Sequence, residues 1–316
     1  MLDTFYRSFE EKHRGSRDLI KSRLESYLPF VLPLKQLGDD PKTLDVGCGR
    51  GEWLQLLSEH GFDSHGVDLD EGMLHACTCL SLNVEKKDAL AALASLSDES
   101  ISIVSGFHIA EHLPFEVLQQ MVQEALRVLK PGGILILETP NPENMVVATS
   151  GFYLDPTHVK PIPQELLVFV AEHYGFHRVK LVRLQENREL LTLSEPNLME
   201  VLYGVSPDYA IVAQKGAPKE SLSLFDLPFA HDYGLGLEEL VSRYDQRFAR
   251  MQSRVAQVEE ALQEARQARI LSEDTQRSLE SLLHSRSWKL TAPIRGLGTF
   301  ARRVKKWMDP AEKRAK

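Results

Sequence analysis

The chain has 316 residues, 43% of them hydrophobic and 26% charged, with a formal net charge of −8. That composition excludes a disordered or fibrous chain and leaves room for one large domain plus appendages. The acidic balance argues against nucleic acid as the main partner. Three cysteines, Cys48, Cys77 and Cys79, are too few for a disulfide framework and point to a reducing compartment. Cys77 and Cys79 lack the spacing and the second ligand pair of a zinc site, so they read as packing residues. No charged start followed by an apolar run marks a signal peptide, and no run approaches the ~18 apolar residues of a membrane span. A cytoplasmic protein is expected.

Residues 5–34 read as an amphipathic helix with Arg and Glu interleaved, ended by Pro29 and Pro33; residues 1–40 are an N-terminal helical cap. Strands and helices then alternate through residues 41–216. Strands are expected at 43–46, 64–67, 101–107, 134–137, 179–184 and 209–213. Helices are expected through Trp53, Leu54 and Leu57, and over 73–80, 115–129 and 164–173. In the third of these, Val117, Leu118, Met121, Val122, Ala125, Leu126 and Leu129 follow the helical period. The alternation predicts an α/β, doubly wound fold with helices on both faces of a mostly parallel sheet. Residues 217–236, with Pro218 and Pro228 and no clear period, read as a linker.

Beyond the linker the period changes. Val241, Phe248, Val255 and Leu262 fall seven apart, as do Tyr244, Met251, Val258 and Ala265. This a/d seam predicts a coiled coil over 237–287, weakened where Arg269, Ser272 and Gln276 take core positions. A lone helix packed on the main domain is the alternative.

The chemistry starts at Asp45-Val46-Gly47-Cys48-Gly49-Arg50-Gly51, between a strand and a helix. Gly47 and Gly49 let the backbone turn tightly and approach a ligand. The spacing is G-x-G-x-G, which departs from the dinucleotide fingerprint. Asp68 ends the next strand, 21 residues after Gly47, where an acid accepts both hydroxyls of a ribose laid across the strand ends. Asp88 follows a stretch that fits a further strand.

Together with the strand ending at His108 and with Leu129-Lys130-Pro131-Gly132-Gly133, these residues resemble a class I S-adenosylmethionine-dependent methyltransferase over about residues 41–216. The resemblance implies a Rossmann-like methyltransferase fold with a seven-stranded sheet and S-adenosyl-L-methionine as cofactor. It implies Gly47, Cys48 and Gly49 at the methionine part, Asp68 at the ribose, and Asp88 at the adenine with Met73 beneath; Asp45, Gly51 and His108 complete the cofactor-binding set. A narrower similarity rests on Tyr6-Arg7-Ser8-Phe9-Glu10, Arg14-Gly15-Ser16, the stretch from His108 to Pro114, Glu138-Thr139-Pro140-Asn141-Pro142 and Tyr153-Leu154-Asp155-Pro156-Thr157-His158. These resemble bacterial polysaccharide methyltransferases, above all the O-antigen chain-terminating ones. That similarity implies a sugar hydroxyl or phosphate of a surface polysaccharide as acceptor. It also implies termination of chain growth, and Tyr6, Arg7, Arg14, Tyr153 and Asp155 as acceptor-binding residues. The chain departs from that family in having neither the length nor the motifs for its kinase domain. A small-molecule O-methyltransferase and a non-catalytic scaffold of a glycan-assembly complex are the alternative readings.

His108-Ile109-Ala110-Glu111-His112 matches the H-x-x-E-H string of a metalloprotease class, but a strand-to-loop exit is no place for a zinc-binding helix. Related small-molecule O-methyltransferases carry E-x-x-E-H here and bind a divalent cation with it. His108 replaces the first Glu, and no metal is expected. A sugar hydroxyl is a poor nucleophile that benefits from a base near neutral pKa, for which His is the usual choice. His158 is the first candidate, His112, beside Glu111, the second and His108 the third; loop scaffolding is the alternative role for His158, Glu111 and His112.

From Trp288 onward nine Lys/Arg face two acids, giving +7 and leaving −15 on the rest of the chain. Leu290, Ile294, Leu297, Val304 and Trp307 recur at helical spacing among Arg302, Arg303, Lys305 and Lys306. Residues 288–316 therefore read as a basic amphipathic tail lying on an anionic membrane surface, which places the protein peripherally on the inner face of the cytoplasmic membrane. Packing against glycan-assembly proteins is the alternative. A homo-oligomer through the coiled coil is the other expected partner.

Overall fold

The computed structural model describes residues 15–38 and 41–308. The chain divides into two compact units, Met1–Arg247 and Phe248–Lys316.

In the first unit, β1 (Lys42–Val46), β2 (Asp63–Asp68), β3 (Asn83–Lys86), β4 (Ile101–Phe107), β5 (Leu129–Pro140), β6 (Arg178–Leu184) and β7 (Asp208–Gln214) form one sheet in the order β3-β2-β1-β4-β5-β7-β6. The first five strands are parallel, and β7 runs antiparallel to both β5 and β6. Strands β4 and β5 are apolar on both faces because helices cover both. Alternate residues feed different cores, as the two-residue period requires. Leu135 and Leu137 join the helices α5 (Phe115–Val128) and α6 (Gln164–Tyr174) on one face. Ile134 and Ile136 join Trp53, Leu56 and Leu57 of α2 (Glu52–Glu59) on the other.

The N-terminal segment packs on that second face, with Leu24, Tyr27, Phe30, Val31 and Leu34 buried. Pro29 and Pro33 do not end it. After α1 (Arg17–Leu24) the chain continues in short helical turns, and each proline sits in the first turn of a new one, where its missing N–H needs no partner. The stretch 217–236 also differs from the expected linker. It holds two short helices, Lys219–Ser223 and Asp226–Ala230, and buries Phe225 completely against the second-face core. Aromatic anchoring (Phe30 against Phe229 and Tyr233) outweighs the breaking tendency of its prolines.

Two further helices, α3 (Glu71–Cys79) and α4 (Ala89–Ala94), are capped by Asp70 and Asp88. Helix α7 (Leu198–Gly204) starts in a reciprocal capping box of Asn197 and Glu200. The long helix α8 spans Leu237–His284. Its opening turns belong to the first unit: Leu240 is buried, Tyr244 packs beside it, and Arg243 donates to the carbonyls of Leu190 and Leu193. The first d residue of the heptad seam is thus spent on the body.

In the second unit α8 continues with Phe248, Met251, Val255 and Leu262 all exposed. Helix α9 (Ala292–Met308) follows, with Ile294, Leu297 and Phe300 exposed. The Arg295 guanidinium lies 3.6 Å from the Trp288 ring centroid. Among the described residues no helix is long and apolar enough to cross a membrane.

Candidate active site

Strand β1 lies between β2 and β4, so the chain reverses its direction of travel across the sheet there. Open α/β sheets bind ligands at such a switch point, outside the carboxyl ends of the strands. Two adjoining cavities open there, and both are lined by Gly47, Phe107, His108 and His112.

The first cavity is a trough of about 480 Å³ over the ends of β1, β2 and β3. Gly47, Gly49 and Gly51 have φ of 69°, 52° and 76°, left-handed values that favour glycine. A Cβ on Gly47 would stand 3.0 Å from the Ile109 side chain, and one on Gly51 2.6 Å from Leu82. The turn therefore presents bare backbone to the trough. Across it, Asp68 accepts the Gly49 N–H through Oδ2 at 2.8 Å and the Asp70 N–H through Oδ1 at 2.9 Å. Each oxygen keeps acceptor capacity for one hydroxyl of a diol. Met73 and Asp88 line the same trough. Asp88 has a second task, accepting the Ala91 N–H at 3.1 Å as the cap of α4.

The second cavity, about 320 Å³, is walled by Asp45, Cys48, Trp53, Glu138, Asp155, His158 and Asp208, with Arg23 and Leu24 of α1. Asp45 is buried and accepts the Ser105 hydroxyl at 2.7 Å. His158 Nδ1 lies 2.6 Å from the Phe152 carbonyl, which only accepts, so Nδ1 carries the proton and Nε2 the lone pair. His112 is set the same way. Thr157 gives its hydroxyl proton to Asp155 Oδ1 at 2.6 Å and receives the His112 Nδ1–H at 2.9 Å. The two imidazole centroids are 4.7 Å apart. Burial, reinforced by His158, holds His112 below its ordinary pKa, against the pull of Glu111.

Beside this pair sits a polar cluster. His108 has φ of 54°, unusual for a side chain of its size, and this aims the ring between two carboxylates. Its Nδ1 is 3.1 Å from Glu111, and its Nε2 is 3.4 Å from Glu138 and 4.0 Å from Asp208. Burial opposes charge on this ring, but its bonds to Glu111 and Glu138 outweigh burial and hold it charged well above the usual range. Glu111 also accepts the Thr139 hydroxyl at 2.9 Å, and Glu138 accepts the Tyr27 hydroxyl. Burial pushes the Asp208 carboxyl up to about 7, with His108 and Arg23 pulling the other way. Two groups of donors stand close enough to share a cation: Glu111 with His112 and His158, and His108 with Glu138 and Asp208.

Of the anticipated residues, Asp45, Gly47, Cys48, Gly49, Asp68, Met73, Asp88, His108, His112, Asp155 and His158 line one or both cavities. Gly51 stands one turn back, ahead of α2. Glu111 is buried behind His108 rather than open to an acceptor. Tyr153 is 65% exposed and packs edge-on against Phe152, outside the cavity wall. Asp155 spends Oδ1 on the Thr157 N–H and hydroxyl, so it orders its own loop. Tyr6, Arg7 and Arg14 lie outside the described residues. Asp208, Tyr27, Arg23 and Gln185 escaped the sequence reading, and Glu138 entered it only within the narrower resemblance, with no role assigned. Glu138 alone had a signal, an acid closing the apolar run of β5; the rest meet the site only through the sheet order and the packing of α1.

Residues 16–181 match the methyltransferase-domain family. The chain belongs to that family. A SAM-dependent methyltransferase from Archaeoglobus fulgidus superimposes with a TM-score of 0.60 at 36% identity, over 67% of this chain and 100% of that one. A probable S-adenosylmethionine-dependent methyltransferase of Mycolicibacterium smegmatis is 30% identical over 136 residues, covering 42% of this chain and 51% of the relative. The ubiquinone biosynthesis O-methyltransferase of Leptothrix cholodnii is 32% identical over 121 residues, covering 36% and 51%. The chain spans about half the length of the curated relatives it matches. In this methyltransferase domain the glycine turn, Asp68 and the paired histidines occupy one end of the sheet.

Proposed function

We propose that the chain transfers the methyl group of S-adenosylmethionine to a hydroxyl of a polyhydroxylated acceptor, a bacterial surface polysaccharide such as O-antigen. The trough suits the cofactor: bare glycine backbone for the methionine part, Asp68 for the ribose diol, and Met73 and Asp88 for the base. When bound, the cofactor supplies an electrophilic methyl group on a good leaving group.

The observation that carries the acceptor assignment is the tautomer of His158. Its Nε2 lone pair faces a cavity walled by carboxylates, which accept hydroxyl protons well. Nε2 takes the proton of the attacking hydroxyl, and Asp155 Oδ2, 3.9 Å away, stabilises the imidazolium that results. Phe107 and Trp53 line the cavity and help keep water from the reacting atoms. A second reading, a small-molecule quinol acceptor, is favoured by the names of relatives such as the 2-methyl-6-phytyl-1,4-hydroquinone methyltransferase of Synechocystis, 30% identical over 165 residues. The exposed seam of α8 and the basic apolar helix α9 support a homo-oligomer attached to an anionic membrane surface or to glycan-assembly proteins.

The deciding experiment supplies methyl-labelled cofactor with purified bacterial polysaccharide in one arm and a catechol or quinol in the other. A labelled methyl ether on sugar supports the proposal. Label only on the quinol selects the second reading. Cofactor binding with no transfer in cells or in vitro leaves a scaffold and overturns both.

A further inference from the structure

We infer that the Glu52 carboxylate receives the α-ammonium group of S-adenosylmethionine and so selects a nucleoside that carries an amino-acid end. The inference rests on the reading that the glycine turn holds that cofactor.

Glu52 is the first residue of α2, directly after Gly51. Its side chain is only 5% exposed, and it lines the second cavity together with Asp45, Gly47 and Cys48. Gly47 lines the trough as well. A ligand whose ribose lies at Asp68 and whose chain crosses the turn at Gly47 therefore meets this wall next. Burying a carboxylate is costly unless opposite charges and aligned donors replace the water it loses.

The opposite charges are present, but the donors are incomplete. Arg50 Nε stands 2.8 Å from Glu52 Oε1, and Arg17 Nη1 stands 4.0 Å from it. Yet neither Oε1 nor Arg50 Nε takes part in a hydrogen bond among the described residues. The distance allows one, so the N–H is not directed at the oxygen. Both guanidinium groups are engaged elsewhere. Arg17 donates to the Arg50 carbonyl and to Gln55 Oε1 at 2.8 Å, and Arg50 donates to the Gly15 carbonyl at 3.2 Å. The Glu52 carboxylate thus keeps acceptor capacity.

The next residue shows the reverse. Trp53 lines the same cavity, and its indole N–H has no acceptor among the described residues. An acceptor short of donors beside a donor short of an acceptor complements an α-amino-acid zwitterion, whose ammonium donates and whose carboxylate accepts. S-adenosylmethionine carries a second cation, its sulfonium. That group has no N–H and cannot supply the missing hydrogen bond, whereas the ammonium has three. A hydrogen bond between two charged groups is about twice as strong as one between neutral groups.

The test uses the full-length chain and calorimetry with three ligands. These are S-adenosylmethionine, S-adenosylhomocysteine, and the deaminated analogue of S-adenosylhomocysteine, which keeps the carboxylate and lacks the ammonium. Wild type is expected to bind the deaminated analogue roughly tenfold or more weaker than S-adenosylhomocysteine. Glu52→Gln is expected to bind S-adenosylmethionine and S-adenosylhomocysteine weaker by a similar factor. In that variant the gap between S-adenosylhomocysteine and its deaminated analogue closes. A gap that persists in Glu52→Gln overturns the inference, because a residue that only shapes the turn weakens all three ligands alike. Loss for S-adenosylmethionine with S-adenosylhomocysteine spared overturns it in favour of the sulfonium. Equal binding of S-adenosylhomocysteine and its deaminated analogue by wild type overturns it without recourse to any variant. Failure of wild type to bind either natural ligand overturns the functional reading itself, and this inference with it.

Discussion

The carboxylate of Asp68 receives the backbone N–H of Gly49 at 2.8 Å, which ties the end of β2 to the glycine turn that follows β1. One side chain thus shapes the turn and offers its remaining lone pairs to the trough. On the proposed role of Asp68, Asp68→Ala removes two charge-assisted hydrogen bonds to the ribose, each worth about 1.5–3 kcal/mol. Calorimetry is expected to show S-adenosylmethionine affinity lower by roughly a hundredfold. Wild-type affinity in the variant removes Asp68 from the cofactor site.

His158→Ala is expected to lower kcat by ~10²–10⁴ while leaving cofactor affinity near wild type. The Phe152 carbonyl fixes the tautomer that leaves Nε2 free to act as the proposed base. His112→Ala serves as the comparison, because Thr157 and Asp155 set its tautomer the same way. If turnover survives in the first variant and collapses in the second, the base is His112.

Asp208 gives a pH signature in stability. Its folded carboxyl, pushed up to about 7 by burial, holds its proton more tightly than in the unfolded chain. A group of this kind loses stabilising contribution as pH rises from ~4, the ordinary carboxylate value, toward its folded pKa. Wild type is therefore expected to lose stability relative to Asp208→Asn across that window and to run parallel above it. Urea unfolding of both proteins at about pH 5 and about pH 8 measures the difference. Equal differences at the two values contradict the assigned burial effect.

The exposed seam of α8 predicts self-association. Phe248, Met251, Val255 and Leu262 stand 45–53% exposed along a helix with acidic and basic residues on its other faces. Sedimentation at micromolar concentration is expected to show an oligomer, and Phe248→Asp combined with Val255→Asp a monomer. A monomeric wild type defeats the coiled coil.

The tail is expected to bind anionic bilayers. Apolar Ile294, Leu297 and Phe300 share α9 with basic residues, and the net +7 from residue 288 onward adds attraction of at most ~1 kcal/mol per basic residue. Binding then weakens as salt rises, since screening acts within roughly 8–10 Å. If the full chain and a chain ending at Ser287 float equally with anionic liposomes, the tail is not the anchor.

Much of the fold was legible in the chain because it follows from local pattern. The apolar runs of β4 and β5, the glycine turn, Asp68 at its strand end and the helical stripe of α5 each depend on neighbours in sequence. Those signals pointed to the trough and named seven of its lining residues, Gly47, Gly49, Asp68, Met73, Asp88, His108 and His112. Reading Pro29, Pro33 and residues 217–236 as breaks failed because a proline's effect depends on what is packed beside it. Phe225 and the N-terminal turns are held by a sheet face formed from residues far away. The acidic cluster was invisible for the same reason. His108 just past the end of β4, Glu138 on β5 and Asp208 at the start of β7 meet across three neighbouring strands, the last two residues 70 apart in the chain. The sequence determined that a nucleoside-binding turn and an acidic strand end would meet. Only the tertiary structure decided which charges share the buried space beside them, because burial and charge pairing belong to the assembled sheet and not to any one segment.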